Sequence, residues 1–506
     1  MNALVKKFAK AHFPDAKADL FACFIERGLT LAKSGGHSAM VTMQSWMFLW
    51  SFEKMRARIL AEHTVCTMAH LGARAFGSIS GEVVQTTAFV LRNSSPLSYK
   101  PVFFRLLEGG EENKLRALAG GEQRFDSTAQ DEFKMIPGSP LAYWAANAVH
   151  LAFGGSSLSD AVTSQGYVLT GNNDKFLRYL WEVDAASVGS ASKWRQHPRG
   201  GEYRKWYGNV IEAVAWSEDA RAHYRSDSVG RIPDPAFWDI EGLCWSEITV
   251  SQPSFRALAP HEIANKKSPA IYPRPGVDLV STLGFLNSSV SRHLLSFLNP
   301  TLGFGPGDIL RLPLSCSDRN SFTASGTGMQ CVTLARRDWD AYERSWDFQS
   351  LPLLTASPTS TLESSYTAWI IQNRATITEM KCLEEENNRL FIDAYGLAGE
   401  LTSEVPIEQI TLTVNPAYRY GGKLTEDELW TRFREDSMQE LVSYAVGCMM
   451  GRYSLDEPGL IYAHSGNQSF DPSRYTRFPA DADGILPLTD KEWFADDAAN
   501  RLIEFI

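Results

Sequence analysis

The stretch DLFACFIERGLTLAKSGGHSAMVTMQSWMFLWSFEKMR, residues 19–56, decides the fold of the first part of this chain. Apolar residues at helical spacing predict a helix over residues 19–33, and the Ser-Gly-Gly turn that follows ends it. HSAMVTM then predicts a buried strand, and a second helix follows over residues 51–60 with Ser51 as its expected N-cap. The order helix, strand, helix predicts an α/β fold.

Two further stretches, TVCTMAHL (64–71) and EVVQTTAFVLR (82–92), predict two more strands of the same unit. The unit is typical of the trailing half of a doubly wound sheet, in which ligands bind beyond the carboxyl ends of strands. Gln44, Ser45 and Trp46 directly follow the first strand, so we expect them to face a cleft. The alternative is that Trp46 and Phe48 are core residues.

Composition excludes several classes of protein. A hydrophobic content of 44% excludes a mainly disordered chain, and a net charge of −10 excludes a uniformly basic DNA coat. The seven cysteines form no CxxC pair, which predicts reduced thiols, a cytoplasmic location and no structural zinc. No apolar run approaches the roughly 18 residues of a membrane span, so we expect none.

The densest basic and aromatic segment is KWRQHPRGGEYRKWYGN, residues 193–209. Basic side chains neutralise phosphates, arginine can reach guanine edges, and aromatic rings stack on bases. We therefore expect local DNA contacts here; the alternative is a solvated loop with its aromatic rings tucked beneath it. The expected contacts are Lys193, Arg195, Arg199, Arg204, Lys205, Trp206, Tyr207 and Asn209.

Several long phrases resemble the PglX family of adenine-specific DNA methyltransferases from BREX phage-defence systems. Residues 19–56 and FGSISGEVVQTTAFVLRN (76–93) are similar to the segment that follows the catalytic motif in these enzymes. Residues 193–209 match another phrase of the family, with Arg199 in place of lysine, which keeps the charge. The resemblance extends over nearly the whole chain.

The resemblance implies a methyl transfer from S-adenosylmethionine to the adenine amine of double-stranded DNA, with the base swung out of the stack. It also implies a domain order. Residues 1–150 would form the trailing part of a class I methyltransferase domain, and residues 151–360 an α+β target-recognition domain. A spacer helix would follow over residues 361–400, and a helical or mixed region over residues 401–506.

The phrase GYVLTGNNDKFLRYLWEV, residues 166–183, resembles the opening of the recognition domain in related methyltransferases. The match rests on Thr170, Gly171, Asn173, Asp174 and Phe176. The resemblance implies that the first four contact DNA. An equally weighted interpretation is that these residues only fold a turn.

The catalytic elements of the family are not found in the sequence. The family places a glycine-containing cofactor loop and an Asn-Pro-Pro-aromatic tetrad before residue 19, so the chain resembles a piece clipped at both ends. The phrase TVNPAYRY (413–420) has Ala417 in place of the second proline, and we favour a strand end leading into a turn. We likewise favour a solvated acidic face over a metal site at residues 384–386.

We therefore expect a DNA-recognition fragment with one flank of the base pocket, formed by Gln44, Ser45 and Trp46, and no methyl transfer by the chain alone. Its expected partners are double-stranded DNA, S-adenosylmethionine, and other BREX proteins or a separate N-terminal half. One alternative is a non-catalytic recognition module or half of a split methyltransferase. Another is a fragment of a type IIG restriction-modification enzyme, which would need a nuclease motif that the sequence does not show.

Overall fold

A computed structural model describes residues 1–76, 84–95, 98–249, 252–299, 302–314, 318–357, 361–462, 470–491 and 493–506. The first part of the chain forms one sheet with its helices. The strands are β1 (His37–Met43), β2 (Thr64–Gly72), β3 (Thr86–Arg92), β4 (Val102–Arg105) and β5 (Arg124–Phe125). The helices are α1 (Ala3–His12), α2 (Leu20–Leu31), α3 (Glu53–Glu62) and α4 (Glu111–Gly120).

The strand order of this sheet is β1-β3-β2-β4-β5. Strand β3 runs antiparallel to both β1 and β2, and β4 runs parallel to β2. The strands β1 and β2 therefore point in the same direction with β3 between them. Their carboxyl ends and the amino end of β3 consequently lie at one edge of the sheet.

The two faces of the sheet differ in how they are covered. Alternate residues such as Met68, Phe89 and Phe103 are buried in a core shared with α2 and α3, as the two-residue repeat of a strand requires. The opposite face carries small and branched residues, including Ala39 and Val41, and it lines a concavity of about 470 Å³. Val41 is 55% exposed.

An α+β region follows. Its helices are α5 (Asn147–Phe153), α6 (Leu158–Ala161), α7 (Asn173–Phe176) and α8 (Glu218–Ser226). Its strands are β6 (Ser156–Ser157), β7 (Val162–Thr163), β8 (Leu177–Tyr179), β9 (Trp194–Gln196), β10 (Glu212–Ala215), β11 (Gly242–Trp245), β12 (Phe255–Leu258) and β13 (Ala270–Pro273). Seven of these strands form a sheet ordered β8-β10-β9 and a second sheet ordered β12-β11-β13-β7, whereas β6 pairs with the later strand Pro313–Leu314.

The remainder of the described chain is largely helical. It comprises α9 (Leu279–Leu286), α10 (Ser289–Leu298), α11 (Pro306–Leu310), the short strand β14 (Pro313–Leu314), α12 (Asp318–Asp340), α13 (Pro352–Thr355), α14 (Leu362–Tyr395), α15 (Pro416–Tyr420), α16 (Glu426–Met449) and α17 (Ala498–Phe505). The long helix α14 packs along α12, α13 and α10. Among the helices described, none has the combination of length and apolar character needed to cross a bilayer.

The structure confirms most of the predicted elements of the first unit and corrects three details. The predicted helix over residues 19–33 and the strands at 37–43 and 64–71 are present, whereas residues 82–83 of the last strand lie outside the described residues. Helix α3 begins at Glu53, and Ser51 does not cap it. The apolar run 102–104, for which no strand was predicted, adds β4 to the sheet. Residues 410–412 form no helix or strand and residues 413–414 form a turn, so the strand end expected there is wrong.

Candidate functional site

Polar side chains from three strand ends meet at one edge of the first sheet. Gln44 directly follows β1, Gln85 directly precedes β3, and His70 lies near the end of β2. The backbone amide of Gln44 donates to the carbonyl of Gln85 at 2.9 Å. Ligands of α/β sheets bind at such an edge, so this cluster is the candidate site of the first sheet.

A hydrogen-bond chain joins Tyr143, His70, Gln44 and Gln85. Nδ1 of His70 lies 3.1 Å from the Tyr143 hydroxyl, and Nε2 lies 2.8 Å from Oε1 of Gln44. Nε2 of Gln44 donates to Oε1 of Gln85 at 2.6 Å. Because an amide oxygen can only accept, the neutral His70 carries its proton on Nε2, and Nδ1 accepts a hydrogen bond from the Tyr143 hydroxyl. The chain therefore runs in one direction and orients both amides.

Burial keeps this chain in a single protonation state. The side chain of His70 is 4% exposed. Desolvation, assisted by the positive charges of Arg105 and Lys114, lowers the pKa of His70 to about 4. Burial also raises the pKa of Tyr143 far above its ordinary value. At neutral pH the imidazole is therefore uncharged and the tyrosine keeps its proton.

The buried Arg56, the exposed Arg105 and an aromatic ring surround the cluster. Arg56, 1% exposed, donates to the carbonyls of Trp46, Leu49 and Gly138 at 2.6 to 3.1 Å. This fixes the loop that follows β1. The half-buried ring of Trp144 lies 6.1 Å from the His70 ring, and the Arg105 guanidinium lies 5.2 Å from the centre of the Trp144 ring. A ring and a cation beside two oriented amides can stack on and hydrogen-bond a heterocycle.

The three predicted base-pocket residues have different positions. Gln44 and Ser45 are half-buried at the sheet edge. Trp46 is completely buried, with its ring 5.1 Å from Phe89, so its expected position facing a cleft is wrong. Sequence reasoning missed His70, Gln85 and Tyr143. Gln44 was selected because ligands bind beyond the carboxyl ends of strands. Gln85 lies at the same edge of the sheet only because β3 is antiparallel to β1 and β2, and the sequence does not show that direction.

The basic loop at residues 193–209 is not an exposed patch throughout. Arg204 and Lys205 are 1% and 5% exposed. Arg204 forms an ion pair with Asp338 of α12 at 2.6 Å, and Lys205 pairs with Glu384 of α14. The indole nitrogen of Trp206 donates to Glu384 at 2.8 Å. The expectation that these three side chains lie free at the surface is wrong, because buried carboxylates satisfy them.

The backbone of this loop has an unusual conformation and packs closely against its neighbours. Trp206 and Asn209 have φ values of 73° and 62°, a conformation that bulky residues rarely adopt. Trp206 also bonds to β12 through the carbonyl of Phe255 at 2.8 Å. A Cβ on Gly208 would lie 2.7 Å from both the Arg204 side chain and the Trp339 ring. Only glycine therefore fits at position 208.

The remaining basic residues of the loop divide into buried and accessible ones. Arg195 is 2% exposed and pairs with Asp239 at 2.8 Å, so its expected surface position is also wrong. The half-buried Arg199 binds both oxygens of Glu212 at 3.0 and 2.7 Å. Lys193 is exposed, and Tyr207 and Asn209 are half-buried. A DNA role for these accessible residues stays a prediction.

The predicted acidic face on α14 is only partly correct. Glu386 is exposed and Glu385 pairs with Lys381, but Glu384 is 3% exposed and supports Lys205 and Trp206. Its burial was invisible in the sequence because its partners lie about 180 residues away. Among the described residues, no group of histidine, cysteine and acidic side chains could hold a metal ion.

Two motifs have the local geometry of turns. Thr170, 3% exposed, donates to Asn173 at 2.8 Å, and Gly171 has a φ of 73°. Asn173 and Asp174 are exposed at the start of α7, and their contact with DNA stays a prediction.

The amide nitrogen of Asn415 donates to the carbonyls of Ile407 and Ile410 at 2.8 Å each. Asn415 therefore organises the chain before α15, whereas the strand end that the favoured interpretation expected is absent.

Breaking the Lys205–Glu384 pair should destabilise the fold strongly. Glu384→Gln leaves a buried ammonium without its counter-charge, so we expect the free energy of unfolding in urea to fall by about 3–5 kcal/mol. The double variant Lys205→Met with Glu384→Met should recover most of this loss. Glu426→Gln, which breaks the exposed pair with Arg374, is the control and should cost at most about 1 kcal/mol. An equally small effect for Glu384→Gln would contradict the structure.

His70 should make stability depend on pH. Its pKa is about 4 in the fold and 6.5 ordinarily, so between these values the unfolded chain binds more protons and stability falls as pH falls. His70→Gln should reduce this loss between pH 6.5 and 4, measured by urea unfolding, by up to about 3 kcal/mol. His37→Gln, at an exposed position, serves as the control. An unchanged slope for His70→Gln would show that the imidazole is not held neutral.

Comparison of the sequence with known proteins finds a matching family model and two curated relatives. The Eco57I restriction-modification methylase family matches residues 1–76. "Adenine-specific methyltransferase BrxX" of Escherichia coli O9:H4 (strain HS) is 38% identical over 100% of this chain and 42% of its own length. "Adenine-specific methyltransferase PglX" of Lacticaseibacillus casei (strain Zhang) is 32% identical over 100% of this chain and 43% of its own.

The chain therefore spans about two fifths of the length of these curated relatives. Among solved structures, the type IIL restriction-modification enzyme MmeI in complex with DNA is similar over 81% of this chain and 54% of that chain. Its 11% identity and TM-score of 0.48 are too low to support a functional argument. The similarity to the two curated relatives, the adenine-specific methyltransferases BrxX and PglX, extends along the entire sequence of this chain.

Proposed function

We propose that this chain is the part of a BREX-type adenine-specific DNA methyltransferase that holds the DNA and flanks the target base. The observation that carries the proposal is the 38% identity over the whole chain with a relative named as an adenine-specific methyltransferase. The sheet-edge cluster supports it, because its side chains have the chemistry that an extruded base needs.

The cluster is suited to the edge of an adenine. A glutamine amide pairs with the adenine amine and N7 through its oxygen and nitrogen. The Gln85 amide is exposed, and its oxygen is positioned by Gln44. The half-buried Trp144 ring beside His70 provides a surface for stacking. We propose that Gln85 and Gln44 hydrogen-bond the edge of the base and that Trp144 stacks on its face.

The uncovered face of the first sheet supports two parts of the proposal. The sheet belongs to a class I methyltransferase domain, and further polypeptide completes it. Doubly wound sheets are covered on both faces, whereas Val41 is exposed here and β1 is the last strand on its side of the sheet. We propose that polypeptide of the same family outside these 506 residues pairs with β1 and covers this face.

The residues at the sheet edge do not by themselves fit S-adenosylmethionine. The described cluster offers amides, an imidazole and aromatic rings, none of which is a characteristic binding group for this cofactor. We therefore assign no step of the methyl transfer to these residues. The cofactor is part of the proposal through the family alone.

Duplex DNA would contact the α+β region at an exposed aromatic and basic surface, here named the 175–194 surface. It consists of Lys175, Tyr179, Trp181, Lys193 and Trp194. The Tyr179 and Trp181 rings are stacked with centres 4.7 Å apart and are 42% and 47% exposed. The Lys193 ammonium lies 5.8 Å from the centre of the Trp194 ring. Cations beside exposed rings are the usual composition of nucleic-acid surfaces.

Reversing charge on the 175–194 surface should weaken DNA binding. We expect Lys193→Glu to lower the affinity for a duplex oligonucleotide by about threefold to tenfold at low salt, and to reduce the salt slope by about one. Fluorescence anisotropy measures both. Lys423→Glu makes the same charge change at an exposed lysine before α16 and should have little effect. Equal effects of the two variants would contradict a local DNA surface, and absence of binding by the unmodified chain would contradict the proposed function.

The chain alone should not methylate DNA. With tritiated S-adenosylmethionine and a mixed-sequence duplex, we expect no label on the DNA above a protein-free blank, because the residues described form only one side of the base pocket. A homologous full-length methyltransferase with a DNA substrate that it methylates is the positive control. Label transferred by the 506 residues alone would contradict the assignment of a partial site.

A further inference from the structure

A cleft of about 650 Å³ lies where the loop at residues 202–209 meets the helical region. Its other walls are the segment 342–344 after α12, residue Thr413, α15 and α16. The cleft is separate from the sheet-edge cluster, and neither the proposed base contacts nor the 175–194 surface uses it.

Three polar groups that line this cleft have no hydrogen-bond partner among the described residues. They are the Tyr342 hydroxyl, Nε of Arg344 and Nη1 of Arg419. Tyr342 is only 8% exposed. Buried polar groups are almost always partnered in folded proteins. A tyrosine hydroxyl can donate, and the two arginine nitrogens can only donate, so the missing partner is an acceptor.

The three arginines that line the cleft differ in whether they form a close ion pair. Arg204 pairs with Asp338, and Arg419 pairs with Glu440 and Asp436. Arg344 belongs to no ion pair among the described residues. It donates to the Thr413 hydroxyl at 2.6 Å, and its guanidinium lies 4.3 Å from the centre of the Trp339 ring.

The carboxylates of the lining do not take this role. Glu440 is engaged by Arg419 at 2.9 Å, and Glu343 faces Ser443, Tyr453 and Arg452. Burial raises the pKa of both Glu343 and Glu440. Glu202 is exposed at the rim. The open position beside Arg344 therefore suits an oxyanion brought from outside.

We propose that this cleft binds a phosphate group, with Arg344 as its charge partner and Tyr342 and Arg419 as further hydrogen-bond donors. A guanidinium and a phosphate match in geometry as well as charge. The phosphate can come from a DNA backbone or from a small phosphorylated molecule. The proposal goes beyond the proposed function and does not depend on it.

Thermal unfolding of the whole chain in inorganic phosphate, against chloride at equal ionic strength, tests the site. Binding to the folded state alone raises the midpoint with a saturable dependence on concentration. We expect Arg344→Gln to weaken this phosphate response by at least about tenfold, and Tyr342→Phe by a smaller factor of about threefold. Arg374→Gln is the matched control, because Arg374 also lies over a tryptophan ring, 4.5 Å from the centre of Trp430, but outside the cleft.

The controls separate a built site from general salt effects. Phosphate stabilises many proteins without binding specifically, and that non-saturable part should remain in all variants. Identical responses of the unmodified chain, Arg344→Gln and Tyr342→Phe would overturn the proposal. Tyr342→Phe keeps the ring and so tests the site even if Arg344→Gln does not fold.

Anisotropy with a duplex oligonucleotide distinguishes the two sources. If a backbone phosphate occupies the cleft, Arg344→Gln should weaken duplex binding and lower the salt slope by about one, and free phosphate should compete. If the occupant is a small phosphorylated molecule, duplex binding should be unchanged while the phosphate response is lost. A chain that binds no DNA but shows the phosphate response would contradict the proposed function and support this site.

Discussion

The buried ion pair between Lys205 and Glu384 is the constraint on which the arrangement of the α+β region and the helices depends. Two charges removed from water are tolerable only when they meet each other with good geometry. Glu384 satisfies both the Lys205 ammonium and the Trp206 indole. The neighbouring Arg204–Asp338 pair is a second buried ion pair, formed with α12. Together the two pairs fix the loop against both long helices.

At the sheet edge, a chain of hydrogen bonds between uncharged groups, not an ion pair, holds the side chains in place. Because desolvation keeps His70 uncharged, the chain from Tyr143 to Gln85 has a single direction. A site made in this way presents its amides in fixed orientation, although the positive charges of Arg105 and Lys114 lie close enough to act on His70.

Local patterns were enough to predict the helix, strand and helix of residues 19–60, because their apolar residues repeat at regular spacing. They could not show that β3 lies between β1 and β2, since pairing joins residues far apart in the chain. The basic loop was misjudged for the same reason. Its composition is that of a DNA contact, but Asp338 and Glu384, which neutralise it, lie more than a hundred residues away.

The left-handed backbone of Trp206 has a consequence for the construction of chimeras between this chain and its relatives. A bulky residue in this conformation carries strain of about 1–3 kcal/mol and persists only where its surroundings impose it. Here those surroundings are Glu384 on α14 and the backbone of β12. A graft that moves residues 193–209 without the helices that they contact would leave the loop free to relax. The exchangeable unit is therefore the segment together with α12 and α14.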